Sequence, residues 1–166
     1  MPDNQMVVPL ESILPVRSSP LLSDFTDEEL GILAGSLEFL TINKGEKLFH
    51  QEDPGDSLYI ILEGQVVIQR EYIERGQVKQ RNLAVVGSGE CVGEVALADG
   101  GPRSASVITL EAIEVLKLSN EKYELMKQNQ PALAIKLIMG LLRLLSKRLR
   151  QVNHTMETAQ MALFSS

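Results

Sequence analysis

Short apolar segments separated by turn residues fill the middle of the chain, from Leu40 to Leu118. Runs such as LYIILEG and SASVITL alternate with turn sequences such as INKG, DPGDS, ERGQ and GSGE. Gly, Pro, Asn and Asp favour tight turns, and strands at this spacing are typical of antiparallel sandwiches and barrels. The pattern lacks the long helices between strands that a Rossmann sheet requires. It predicts a mainly β fold, an eight-stranded jelly-roll β-barrel, in line with about eight strands.

Helical patterns flank this β segment on both sides. Upstream, Thr26 precedes acidic residues and leucines at helical spacing, which predicts a capped amphipathic helix of about ten residues. Downstream, Ser119 is a helix-capping residue, and Pro131 stands in the first turn of a long helical segment. The chain is therefore predicted to have three parts: a lead-in over 1–22 with at most one short helix near 10–14, a β domain with flanking short helices over 23–130, and a C-terminal helix over 131–166.

The C-terminal helix carries more apolar surface than one packing face requires. Its apolar positions form a broad stripe made of Leu133, Leu137, Ile138, Leu141, Leu144, Leu145, Leu149 and Val152. A stripe of this width predicts two partners for the helix. One is the β domain and the other is the same helix of a second subunit, so we expect a homodimer through residues 131–153.

Charge and cysteine content argue against several classes of protein. The net charge is −6, yet five basic residues and one acidic residue lie in 131–166. Four of those basic residues fall within 143–150 on an apolar helix, which favours a solvated helix face over a nucleic-acid surface. The chain has no apolar run of membrane-spanning length, no secretory leader pattern and a single cysteine, Cys91. We expect a cytoplasmic protein without internal disulfides.

A glycine-rich stretch between two predicted strands, GEVALADGGPRSASV (93–107), has the composition of an anion site. Gly93 allows close approach of the backbone, and a helical turn from Glu94 to Ala98 would present free N–H groups at its start. Arg103 supplies a charged, two-pronged donor, while a carboxylate such as Glu94 accepts hydrogen bonds from a sugar hydroxyl. The pair predicts a ribose phosphate; the alternative is a structural salt bridge between Glu94 and Arg103 without a ligand.

Other kinds of site lack their characteristic residues in this sequence. No GxxxxGK[ST] motif and no acidic cluster for Mg²⁺ is present, which argues against nucleotide hydrolysis and kinase chemistry. His50 and His154 lack the spacing of a metal-binding jelly roll, and one cysteine cannot hold an iron–sulfur cluster. We therefore predict no catalytic residue, no metal site and no enzyme activity.

Three stretches make the chain resemble the cyclic nucleotide-binding domains of the catabolite activator protein, of kinase regulatory subunits and of gated ion channels. They are GEKLFHQEDPGDSLYIILEGQVVI (45–68), GSGECVGEVAL (87–97) and PRSASV (102–107). With the flanking helices, the resemblance covers roughly residues 23–153. It implies a jelly roll with a ligand held between the second and third stretches.

The resemblance also implies a role for each matching residue. Glu94 matches the glutamate that accepts from the ribose 2′-OH, Arg103 the arginine that pairs with the cyclic phosphate, and Ser104 a hydroxyl position near phosphate or base. The phosphate cradle would be completed by backbone N–H groups around Gly93, Val95, Ala96 and Ala105. Candidates for base or lid contacts are Ile68 and Leu83, by strand alternation, and Leu145, Arg148 and Leu149 on the long helix.

The function implied by this resemblance is that of a non-enzymatic sensor. Serine at position 104 accompanies cAMP in bacterial relatives, so cAMP is the expected ligand and cGMP the alternative. The C-terminal helix would move or dimerise on binding and regulate an effector protein in trans. Too few residues follow 153 for a helix-turn-helix, so no direct contact with nucleic acid is expected. The alternative function is a degenerate domain that acts as a ligand-independent protein-interaction module.

Overall fold

Two antiparallel four-stranded sheets form the centre of the computed structural model, which describes residues 8–164 except for the side chain of Ala96. One sheet has the strand order β1-β8-β3-β6 and the other β2-β7-β4-β5. The strands are β1 (Glu38–Ile42), β2 (Lys47–Phe49), β3 (Ser57–Glu63), β4 (Val66–Glu74), β5 (Gln77–Val86), β6 (Cys91–Val92), β7 (Ser106–Thr109) and β8 (Ile113–Ser119).

This strand order joins strands that lie far apart in the sequence, as two interleaved Greek keys do in a jelly roll. The predicted mainly β fold with eight strands is therefore confirmed within residues 8–164. The pairing runs within each sheet, and its closure into a complete barrel stays a prediction.

The core is divided between two layers by the sheet that contains β3. Leu58 and Ile60 face a cluster shared with the helices, while Tyr59 and Ile61 face the opposite sheet. Successive residues of a strand point to opposite faces, so β3 is buried on both sides and is apolar from Leu58 to Leu62. The second cluster, between the two sheets, forms the floor of the site described below.

The helices are α1 (Leu10–Ile13), α2 (Asp27–Ala34), α3 (Glu94–Asp99), α4 (Asn120–Asn129) and α5 (Pro131–Phe164), and a 3-10 turn spans Leu14–Val16. Thr26 and Glu29 form a reciprocal capping box at the start of α2, and the Ser119 side chain accepts from the backbone N–H of Lys122 at the start of α4. The predicted helix starts are thus confirmed. The described helices include none that is long and apolar enough to span a membrane.

The lead-in packs into the core to a greater extent than its prolines suggest. Ile13, Leu21 and Leu22 are fully buried in the cluster beneath the helices. The backbone of Leu21 lies so close to α5 that a Cβ on Gly140 would come within 2.1 Å of its carbonyl oxygen. Residues 1–7 and 165–166, at the ends of the predicted lead-in and helix, lie outside the described residues.

Candidate functional site

The glycine-rich stretch forms a loop whose backbone closely approaches strand β3. Gly93 has a φ of +84°, and a Cβ there would come within 2.7 Å of the Ser57 carbonyl oxygen and 2.6 Å of Nη1 of Arg103. Only glycine meets both conditions without strain. The predicted helical turn follows at once as α3, Glu94–Asp99. Gly93 therefore fixes where α3 begins and how near Arg103 comes to the chain.

A cavity opens between this loop, α3 and the floor of the jelly roll. Most of the predicted ligand-contacting residues line it, namely Ile68, Gly93, Glu94, Val95, Arg103, Ser104 and Ala105. Ala96 lies within α3, and its side chain is outside the described part of the structure. Three further lining residues escape the sequence prediction: Phe49, Val92 and Val107. The wall is thus mainly apolar, with charge confined to Glu94 and Arg103, which is the usual make-up of a small-molecule site.

Arg103 is the most deeply buried charged group of the cavity, with 3% of its surface exposed. Its Nη1 donates to the carbonyl oxygens of Ser57 at 2.7 Å and Gly93 at 3.3 Å. Its Nη2 donates to the Ser57 hydroxyl at 3.2 Å and to the Asp56 carboxylate at 3.3 Å. Nε is also buried, but it has no hydrogen-bond partner among the described residues. The guanidinium is therefore held firmly while one donor stays unused.

Burial lowers the pKa of the Arg103 guanidinium, and the nearby Tyr59 and Asp56 oppose that shift. An arginine remains protonated under all physiological conditions, so the cavity wall keeps a full positive charge. Asp56 is largely exposed, at 75%, and its ion pair with the 2% exposed arginine side chain is therefore screened on one side. A buried cation with one free donor is a strong attractor for an anion.

Glu94 has a different partner, which lies on the long helix α5. Its carboxylate accepts from Nη1 of Arg148 on α5 at 3.0 Å, with 11% of the Glu94 side chain exposed. Arg148 also donates to the carbonyl oxygen of Cys91 and lies 3.9 Å from the Glu90 carboxylate. Glu94 and Arg103 thus have separate partners, and the salt bridge weighed as an alternative is not the arrangement observed.

Arg148 contacts Glu94 from α5, but it is not among the residues that line the cavity, and its predicted base or lid contact stays a prediction. Three other candidates lie away from the cavity. Leu145 is 38% exposed and Leu149 is 61% exposed, and neither lines the cavity. Leu83 is 53% exposed and also lies outside it, and the β4–β5 register shifts after Ile68 and skips that residue. A bulge of this kind redirects the side chain, so counting by alternation fails there. Base contacts by these leucines stay predictions.

Cys91 lies beneath the site as a core residue. It is 1% exposed, and burial raises the pKa of its thiol far above the usual range, with Glu94 adding to the shift. The thiol is therefore protonated and unreactive at neutral pH. The part of the chain that the structure describes has no group of three or more His, Cys, Asp or Glu that could hold a metal ion.

A comparison with models of known protein families agrees with the site geometry described above. The family model described as "Cyclic nucleotide-binding domain" matches residues 39–130. The chain belongs to the cyclic nucleotide-binding domain family. The matched segment contains both β sheets apart from Glu38, together with α3 and the whole wall of the cavity. The recognition made from the three sequence stretches is thus confirmed.

Two individual relatives are similar to this chain over part of their length. The chain is 33% identical over 138 residues to the cyclic AMP receptor protein of Thermus thermophilus, covering 83% of this chain and 61% of that protein. It is 31% identical over 91 residues to the cAMP-dependent protein kinase regulatory subunit of Dictyostelium discoideum, covering 55% and 28%. The chain therefore spans less than two thirds of the length of these relatives.

A solved structure gives the same result in three dimensions. A cyclic nucleotide-binding domain from Methylobacillus flagellatus superposes with a TM-score of 0.76 at 32% identity, covering 86% of this chain and 79% of that one. The likeness extends beyond the matched family segment, since 86% of the chain includes helices on either side of the β sheets. The flanking helices therefore belong to the shared architecture.

Proposed function

We propose that this protein is a non-enzymatic sensor that binds a cyclic nucleotide, preferentially cAMP, in the cavity between α3 and the jelly roll. The observation that carries the proposal is the buried Arg103, which lines the cavity and has Nε without a partner among the described residues. A phosphate oxygen supplies the missing acceptor, and a cyclic phosphodiester brings the single negative charge that one arginine balances. Relatives named as a cyclic AMP receptor protein and as a cAMP-dependent protein kinase regulatory subunit support the same ligand class.

The sugar of the ligand would take the opposite wall. A ribose 2′-hydroxyl donates well to a carboxylate, and Glu94 is the carboxylate that lines the cavity. Ser104 also lines the cavity and offers a hydroxyl to phosphate or base. Ser104 at this position favours cAMP, with cGMP as the alternative ligand. The charged groups of the site thus match the two polar edges of one ribose phosphate.

Signal transfer would run through Arg148, which connects α5 to Glu94. A ribose hydroxyl and the Arg148 guanidinium share one acceptor, so a bound nucleotide changes the free energy of the contact between helix and site. A ligand shifts a conformational equilibrium only by its differential affinity for the two states. Arg148 provides such a difference, and the position of α5 would then regulate an effector protein in trans.

A homodimer through 131–153 fits the exposed side of α5. Apolar residues recur at seven-residue intervals along that side, with a second set three residues further on, as in a two-stranded coiled coil. The first set is Ile135, Leu142, Leu149, Met156 and Leu163, and the second is Leu145, Val152 and Ala159, preceded by Ile138, which is half-buried against the core of its own domain. Sedimentation of the full chain at graded concentrations tests this part, and a monomer at all concentrations would contradict it.

Titration calorimetry with cAMP and with cGMP on the purified chain tests the binding proposal. We expect Arg103→Ala to weaken cAMP binding at least tenfold, since the phosphate would then lie in a buried cradle without its cation. Arg70→Ala, in the exposed part of β4, is the matched control for loss of one positive charge. Arg103→Lys keeps the charge and shows whether the fork geometry matters. Unchanged affinity in Arg103→Ala would refute the role of that residue.

The ligand-independent interaction module remains a second candidate on one observation. Glu94 already pairs with Arg148, and Arg103 already donates to four acceptors, so most polar groups of the cavity are satisfied within the chain. This candidate predicts no binding heat and no thermal shift with either nucleotide at millimolar concentration. That result would overturn the sensor function.

A further inference from the structure

Phe49 on β2 is the side chain that lies over the guanidinium of Arg103. The Cζ atom of Arg103 is 4.0 Å from the centroid of the Phe49 ring. Phe49 is 9% exposed and lines the same cavity as Arg103. We infer that Phe49 is a positioning residue, whose ring face fixes the buried guanidinium so that its free donor is presented to an anionic ligand. This inference rests on the proposed nucleotide site.

The ring itself is fixed by contacts on two sides. Phe49 is paired with Val107 across the β2–β7 ladder, and its ring lies 5.9 Å from the ring of Tyr59 at an angle of 31°. All three residues belong to the cluster between the sheets. A well-packed ring in such a cluster keeps one orientation. Phe49 therefore offers Arg103 a surface of constant position.

An aromatic ring does more here than an aliphatic side chain of similar size. The face of the ring carries partial negative charge and attracts a cation, and the attraction is strongest where water is excluded. Hydrogen bonds from both Nη atoms hold one end of the guanidinium, on Ser57, Gly93 and Asp56. The ring adds a restraint perpendicular to those bonds. Together they leave Nε as the buried donor without a partner among the described residues.

A graded substitution of the ring tests the inference directly. Mono-, di- and trifluorinated phenylalanine at position 49 weakens the negative ring face stepwise while changing the volume little. We expect cAMP affinity to fall with each fluorine and to fall roughly three- to tenfold in Phe49→Leu. The same fluorination at Phe25, which is buried in the other cluster, is the matched control and should leave affinity unchanged.

A second readout does not need any ligand. The Nε–H resonance of Arg103 lies within reach of the ring current of Phe49, so we expect an upfield shift that Phe49→Leu removes. If the resonance does not respond to Phe49→Leu, or if affinity is indifferent to fluorination while the wild type binds cAMP, the positioning role is overturned. If the wild type binds no cyclic nucleotide but the resonance responds, the sensor function fails and the positioning of Arg103 stands.

Discussion

Both halves of α5 contain leucines, five in residues 131–144 and three in residues 145–164, but the two halves have opposite surroundings. In the anchored half, residues 131–144, the buried residues are Leu133, Ala134, Leu137, Gly140, Leu141 and Leu144. In the distal half, residues 145–164, none is buried, and Arg148 alone is intermediate in exposure. The presence of leucines therefore does not decide which part of a helix is held by its own domain. The position of each residue relative to the lead-in and α4 does.

This difference bears directly on the proposed function. The anchored half is packed against the lead-in and cannot move without opening the core. The distal half is connected to the site through Arg148, at Glu94 and at the Cys91 carbonyl. A helix with a rigid base and polar contacts from one arginine further along suits a switch, because a ligand at Glu94 would change those contacts. The predictions below test the contrast between the halves.

The largest expected difference in stability is between two variants, each with a leucine truncated in one half of α5. Leu137 is fully buried, so Leu137→Ala leaves a cavity and should cost about 2–5 kcal/mol of unfolding free energy. Leu149 is 61% exposed, so Leu149→Ala should cost less than about 0.5 kcal/mol in dilute solution. Urea denaturation at low protein concentration measures both.

Equal losses from the two substitutions in dilute solution would show that the distal half is packed against its own domain. If α5 dimerises, the stability of Leu149→Ala should instead fall further below that of the wild type as the protein concentration rises. Dimerisation stabilises the folded wild type by mass action, and the variant would gain less from it. Leu137→Ala should show the same loss at every concentration.

A smaller change in stability is expected for a substitution where the lead-in crosses the anchored half. Gly140→Ala would bring a Cβ within 2.1 Å of the Leu21 carbonyl oxygen and 2.8 Å of its carbonyl carbon, so the backbone of one segment must shift. We expect a net loss of about 1–3 kcal/mol despite the better helix propensity of alanine.

The matched control is Gly31→Ala in α2, where a Cβ has open space around it. Alanine there should raise the unfolding free energy by about 0.5–1 kcal/mol. Thermal unfolding measures both variants, and the two changes in stability are expected to have opposite signs. A stabilised Gly140→Ala would mean that the lead-in is free to leave the helix.

Sequence reasoning succeeded where the determinants are local. The jelly-roll strands, the helix starts at Thr26 and Ser119, and the loop from Gly93 to Ala105 follow from turn chemistry, caps and short spacing. Arg148 was named only as a residue that could close over the base, because no local signal connects it with Glu94, 54 positions earlier in the chain. Its contact with Glu94 depends on the path of the long helix and was not predicted.

The features that sequence reasoning missed depend on long-range packing. Phe49 lies on a strand more than fifty positions before Arg103, and an aromatic residue in a strand has no pattern that identifies it as a cation partner. Asp56 was one acid in a turn sequence, without a sign that it pairs with Arg103. Leu83 was named by strand alternation, but the β4–β5 register shifts next to it, and the sequence does not mark that irregularity.

The smallest expected change in stability concerns the ion pair that joins the anchored half to α2. The Lys136 ammonium lies 2.7 Å from the Glu29 carboxylate, and hydrogen bonds from Lys136 and from the Thr26 backbone lower the pKa of Glu29. A carboxyl whose pKa is lower in the folded state stabilises the protein above its unfolded pKa, near 4.5, and loses that contribution as the pH falls through the folded value. Part of the acid sensitivity of this protein should therefore come from Glu29.

Glu29→Gln tests this contribution without removing the capping box, because glutamine at the same position can also accept from the Thr26 backbone. We expect the variant to be slightly less stable than the wild type at pH 7 and to lose less stability between pH 6 and pH 3. Glu28→Gln, an exposed neighbour in the first turn of α2, controls for the change in helix charge. Parallel pH profiles for the wild type and Glu29→Gln would contradict the assignment. Convergence of the two profiles in acid would show that the anchored half is joined to α2 by charge as well as by packing.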